Sequence, residues 1–122
     1  MSCLFDSLSK FVSDEKVDGG VLRHVICNFL STNPSLIDDM NAETIVQEES
    51  KMKLGDYISQ MRMGHTFGGA IEIRAFTKIF KLNVLVKSIP NNKIIEFIDS
   101  PENLWAVLSW TGNHFEALEK IN

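Results

Sequence analysis

Three side chains near the two ends of the chain have the types and spacing that chemistry needs. Cys3 stands where an amphipathic helix begins, with Leu4, Phe5, Leu8, Phe11 and Val12 forming one apolar stripe at helical spacing. A thiol in a first helical turn faces unpaired backbone N–H groups and the positive end of the helix dipole. Both favour the thiolate, which is the nucleophilic form. At the other end, His114 and Glu116 lie two residues apart in a segment of strand character. They therefore share one face, with Phe115 and Ala117 on the other. A carboxylate beside an imidazole can hold the ring's tautomer and stabilise the imidazolium. Thiol, imidazole and carboxylate together describe thiol-dependent hydrolysis, with nucleophile and base drawn from opposite ends of the chain. Each piece also has an inert counterpart. A His-x-Glu on an edge strand is often an exposed polar face, and a cysteine at a helix start need not react.

The elements between these ends must bring them together. Residues 13–20 are polar and end the first helix, and Gly19-Gly20 reads as a break. A second helix follows with Val21, Leu22, Val25, Ile26, Phe29 and Leu30 on one face. Cys27 reads as a small packed hydrophobe, and His24 as a solvated or partly packed flank. Ser31-Thr32-Asn33-Pro34 breaks that helix, and Pro34 suits the first turn of another short one. Residues 41–63 lean helical, divided at Gly55, with Tyr57, Ile58, Met61 and Met63 on the buried side. The run Gln47-Glu48-Glu49-Ser50-Lys51 reads as a solvated face. A flexible loop, Gly64-His65-Thr66-Phe67-Gly68-Gly69, leads into a helix over 70–80. Gly68-Gly69 is either a close backbone approach at that helix start or a simple tight turn. From residue 82 the period becomes that of strands, over 82–86, 93–98, 104–110 and 114–118, with turns between. Helices come first and a small sheet closes the chain.

Composition narrows the class. At 122 residues the chain is long enough for one hydrophobic core, and we expect a single domain over 1–122. With 44% hydrophobic and 23% charged residues it is of ordinary globular make-up. A net charge of −4 argues against nucleic acid as the main partner. The two cysteines, Cys3 and Cys27, show no zinc-type spacing, so no metal or other cofactor is expected. A disulfide between them stays open, although two lone cysteines without a signal-peptide pattern point to a reducing compartment. No apolar run approaches the ~20 residues of a membrane span. The expectation is a cytoplasmic protein without a membrane partner.

Several short blocks, taken in order, resemble one family. Cys3-Leu4-Phe5 followed by Ser7-Leu8-Ser9 resembles the nucleophile motif of the ovarian tumour (OTU) cysteine peptidases, most of which are deubiquitinases. Leu22-Arg23 is similar to the family's Leu-Arg, and Tyr57 with Met61 to its Tyr-x-x-x-Met. The block from Phe67-Gly68-Gly69 through Glu72-Ile73 resembles its Trp-Gly-Gly-x-x-Glu-Leu, and His114-Phe115-Glu116 its His-Tyr-Asp/Asn terminus. The resemblance implies an OTU-like α/β (α+β) fold with helices flanking a small central sheet. It implies Cys3 as nucleophile, His114 as general base and Glu116 as the residue orienting that base. His65, Phe67, Gly68 and Gly69 fall in a loop beside the cleft where a ubiquitin tail would pass, and Trp110 and Phe115 become candidate channel walls. The implied partner is ubiquitin or a ubiquitin-like protein, engaged by a monomer. The compact size resembles trimmed virus-encoded or mobile-element members. Only Met1 and Ser2 precede Cys3 where the family usually carries Asp-Gly, and Asp6 replaces a common arginine. These departures set a second expectation beside the enzyme: a catalytically inactive OTU-like module that binds ubiquitin or another protein.

Overall fold

A computed structural model describes residues 2–64 and 66–121. Helix α1 (Cys3–Ser9) leads to α2 (Gly19–Leu30), followed by a small hairpin of β1 (Ser35–Ile37) and β2 (Met40–Asn41). Three helices follow: α3 (Ala42–Ser50), α4 (Leu54–Arg62) and α5 (Ala70–Phe80). The chain ends in β3 (Asn83–Ser88), β4 (Lys93–Phe97), β5 (Trp105–Trp110) and β6 (Phe115–Ile121). These last four strands form one sheet in the order β4-β3-β5-β6. β3 and β5 run parallel, and the two outer strands pair antiparallel to them. This is the mixed helix-and-sheet architecture expected from the residues.

The core lies where the helices meet the sheet. Phe5 and Leu8 of α1, Leu22 and Ile26 of α2, Phe76 of α5, and Val84 and Leu108 of the sheet are all fully buried. The stripes of α1, α2 and α5 enter it with two departures: Phe11 and Val12 lie beyond the end of α1 at Ser9, and Val21, in the first turn of α2, is exposed. The parallel β3/β5 pair requires the chain to cross from β4 over the end of the sheet. Asn83, itself fully buried, anchors that crossover. Its amide donates to Ser100 O at 2.8 Å, and its Oδ1 accepts from Asp99 N at 2.8 Å.

Four local expectations are corrected. The Gly19-Gly20 pair opens α2 rather than preceding it, because the Asp18 side chain accepts from Val21 N at 2.9 Å and caps the helix there. Residues after Pro34 form the β1–β2 hairpin, not a helix, and Pro34 O accepts from Ala42 N at 2.8 Å. The division within 41–63 falls at Lys51, whose left-handed φ of 62° terminates α3, while Gly55 sits inside α4. Met63 is exposed, since α4 ends at Arg62 and the chain turns outward. Other readings hold: Cys27 is buried, His24 is exposed, and Gln47, Glu48 and Glu49 face solvent. Both cysteines are free thiols. Among the described residues no helix is long and apolar enough to cross a membrane.

Candidate active site

Cys3 is the first residue of α1 and is half-buried. The apolar side of this short helix, Leu4, Phe5 and Leu8, is driven into the core, which leaves Cys3 at the edge where α1 meets β6. β6 follows β5 through a tight turn of Thr111, Gly112, Asn113 and His114. Thr111 N donates to His114 O at 3.0 Å, and Gly112 takes a φ of 111° that a side chain would rarely tolerate. His114 therefore emerges immediately before β6. Along residues 114–118 exposure alternates, so His114 and Glu116 share the open side while Phe115 and Ala117 are partly covered.

Two cavities meet at Cys3. One, of about 560 Å³, is lined by Cys3, Ser7, His114 and Glu116, with Ser2, Asp6 and Lys10 around them. The other, of about 360 Å³, is lined by Cys3, Phe67, Gly68, Gly69, Trp110 and Phe115, together with Gly112 and Asn113. The three residues expected to do chemistry thus line one groove, and four of the five expected to meet substrate line the other. The fifth, His65, lies outside the described residues. Trp110 and Phe115 face each other across the β5/β6 pair with ring centroids 6.3 Å apart. Each ring is packed partly on the core and partly against the cavity. Among the described residues no hydrogen bond joins the His114 ring to Cys3 or Glu116. Hydrogen bonds of this kind commonly tighten only when substrate is bound.

The loop that walls the second cavity is held by buried polar groups whose importance the residue pattern alone did not assign. Arg23, 3% exposed, donates through Nη1 to Met61 O at 2.7 Å and Thr66 O at 2.8 Å. Its guanidinium also lies 4.3 Å from the centre of the ring of Phe5, two residues after Cys3 on α1. Glu72, 1% exposed, accepts from Gly69 N at 2.7 Å and from the Tyr57 hydroxyl at 2.6 Å. Burial pushes the Glu72 carboxyl above its ordinary range, against the opposing pull of these two donors. Gly68 is in turn packed against α1. A Cβ there would come within 2.9 Å of Leu4 Cδ2 and 3.0 Å of the Phe5 ring. The close-approach reading of Gly68 is therefore the correct one. The matched blocks at 22–23, 57–61 and 67–73 are one hydrogen-bonded unit that sets the loop against the cysteine helix. Gly112 and Asn113 were legible only as a turn, and nothing in their types marked them as cavity walls.

Comparison with known proteins agrees with this architecture. The family model for OTU-like cysteine protease matches residues 2–112, so the chain belongs to that family. An ovarian tumour (OTU) domain solved in complex with ubiquitin superposes with a TM-score of 0.78 at 21% identity, over 98% of this chain. This chain spans only 64% of that one. The viral OTU domain protease from Qalyub virus gives a TM-score of 0.72 at 18% identity, over 98% of this chain and 78% of its own. The Hazara virus OTU bound to ubiquitin gives 0.64 at 19% identity, over 99% and 76%. No curated protein sequence matches the chain.

Proposed function

We propose that this OTU-like cysteine protease domain is a thiol-dependent deubiquitinase, cleaving after the C-terminal glycine of ubiquitin or a ubiquitin-like protein. One observation carries the reading. Cys3 lies on the boundary between a groove that also holds His114 and Glu116 and a cavity walled by Gly68-Gly69 and Trp110. A side-chain-free Gly-Gly tail suits the cavity of about 360 Å³, with the Trp110 and Phe115 rings against it. Phe67, 56% exposed, stands at the rim where a bound tail would enter. The ubiquitin-bound relatives support the choice of partner.

In this reading His114 takes the Cys3 proton, and the thiolate attacks the carbonyl of the terminal glycine. A C–S bond forms, the C–N bond to the lysine side chain breaks, and the imidazolium protonates the departing amine. His114 then deprotonates a water that attacks the thioester, releasing the carboxylate and restoring the thiol. Glu116, on the same face as His114, orients the ring and stabilises its charged form. The two free thiols suit a reducing, cytoplasmic setting.

The test is labelling with ubiquitin carrying a thiol-reactive group at its C-terminus. Wild type is expected to form a covalent adduct that Cys3→Ala abolishes and His114→Ala slows by about 10²–10⁴. Ubiquitin binding without an adduct would instead identify an inactive binding module. The absence of both adduct and binding would end the ubiquitin reading.

A further inference from the structure

We propose that Ser7 is a positioning residue that sets the distance between the Cys3 thiol and the His114 ring. This rests on the Cys3–His114 reading above. Ser7 lies one helical turn after Cys3 and is 4% exposed. Its Oγ is 2.7 Å from Cys3 O and 3.1 Å from Phe115 O, the carbonyl of the residue that follows His114.

The chemistry of the two acceptors differs. Cys3 O is also the acceptor four residues back in the helix's own ladder, so it does not depend on the hydroxyl. Phe115 O does. β6 is an edge strand, and Trp110 opposite Phe115 forms a non-hydrogen-bonded pair, as the Thr111 N to His114 O bond beside it requires. The Phe115 carbonyl therefore points to the free edge of the sheet, toward α1. A hydroxyl has a single proton, shared here between the two carbonyls. The bond to Phe115 O is the one described side-chain hydrogen bond crossing from α1 to β6. It ties α1, one turn beyond the thiol-bearing residue, to the residue after the imidazole, 108 positions along the chain. Without it, the two can separate while the apolar packing of Leu4, Phe5 and Leu8 keeps the fold intact.

The rate of Cys3 alkylation by iodoacetamide, resolved by peptide mass spectrometry from about pH 5 to 9, reads this coupling without any ubiquitin. The charged groups lining the groove beside the ring, Asp6, Lys10 and Glu116, are unchanged in every variant. Wild type should react at low pH through a His114-assisted thiolate that His114→Ala removes. Ser7→Ala should lose about ten- to a hundredfold of that low-pH rate. Its profile should move onto that of His114→Ala, with an unfolding midpoint near wild type. Ser7→Thr, which keeps the hydroxyl, should restore the wild-type shape. A Ser7→Ala profile identical to wild type overturns the proposal. So does a loss that is uniform across pH and scales with lost stability. If wild type and His114→Ala already coincide, the Cys3–His114 pairing itself fails and Ser7's role goes with it.

Discussion

The Tyr57 hydroxyl donates to Glu72 Oε2 at 2.6 Å, while the other oxygen of that carboxyl takes the Gly69 N–H at 2.7 Å. One buried side chain on α5 thereby fixes both the helix before it and the loop that faces Cys3. Burial also lifts the Tyr57 phenol well above its ordinary range, so it stays neutral and remains a donor at any working pH.

This arrangement gives a pH dependence of defined sign. The folded-state value of Glu72 is raised above its ordinary 4.5, burial being the main cause. The fold therefore keeps a proton that the unfolded chain has already released. The contribution is fully present below about 4.5 and is lost as pH rises through the folded value. Urea midpoints for wild type should fall over that window, and those of Glu72→Gln, which cannot ionise, should fall less. Parallel curves would remove Glu72 as the source.

Two neighbouring glycines should behave differently. Gly68→Ala places a methyl 2.9 Å from Leu4 Cδ2 and 3.0 Å from the Phe5 ring, inside a packed core. It should cost about 1–3 kcal/mol and displace the loop from Cys3. Gly69→Ala meets nothing within 4 Å and should cost under about 1 kcal/mol. Unfolding midpoints of the two variants decide this, and equal losses would contradict the packing of Gly68 on α1.

Arg23→Lys should be far from conservative. Lysine keeps the charge, but its ammonium has no planar face to lay over Phe5 while also reaching Met61 O and Thr66 O, which Nη1 holds in the native protein. A loss of about 1–3 kcal/mol in urea unfolding is expected, with faster proteolysis between α4 and α5. Protease resistance equal to wild type would show that the loop is held by other means.

The two thiols should also separate cleanly. Cys3 is half-buried at the junction of two cavities, whereas Cys27 is fully buried and its thiol is pushed up, mainly by that burial. Alkylation of the native protein should mark Cys3 alone, with Cys27 reacting only after denaturation. Early modification of Cys27 would mean that α2 opens readily.

Much of this molecule was legible as residue pattern. The stripes of α1, α2 and α5 and the four C-terminal strands follow from periods of 3.6 and 2, which act between residues a few positions apart. The β1–β2 hairpin escaped because strands of three and two residues carry no period. The end of α3 escaped because Lys51 takes a left-handed conformation without being glycine, the residue type that signals such a stop.

The candidate site divides along the same line. Sequence by itself determined which residues carry reactive groups, where helices and strands run, and that His114 and Glu116 share a face. Only the tertiary structure decided that β3 and β5 run parallel, that β6 lies at the sheet edge against α1, and that Cys3 and His114 line one groove. It also decided that Arg23, Tyr57 and Glu72 close on one another around the Gly68-Gly69 loop. The reason is physical. Local periodicity is written in neighbouring side chains, whereas strand order and buried polar pairing depend on how the whole core packs.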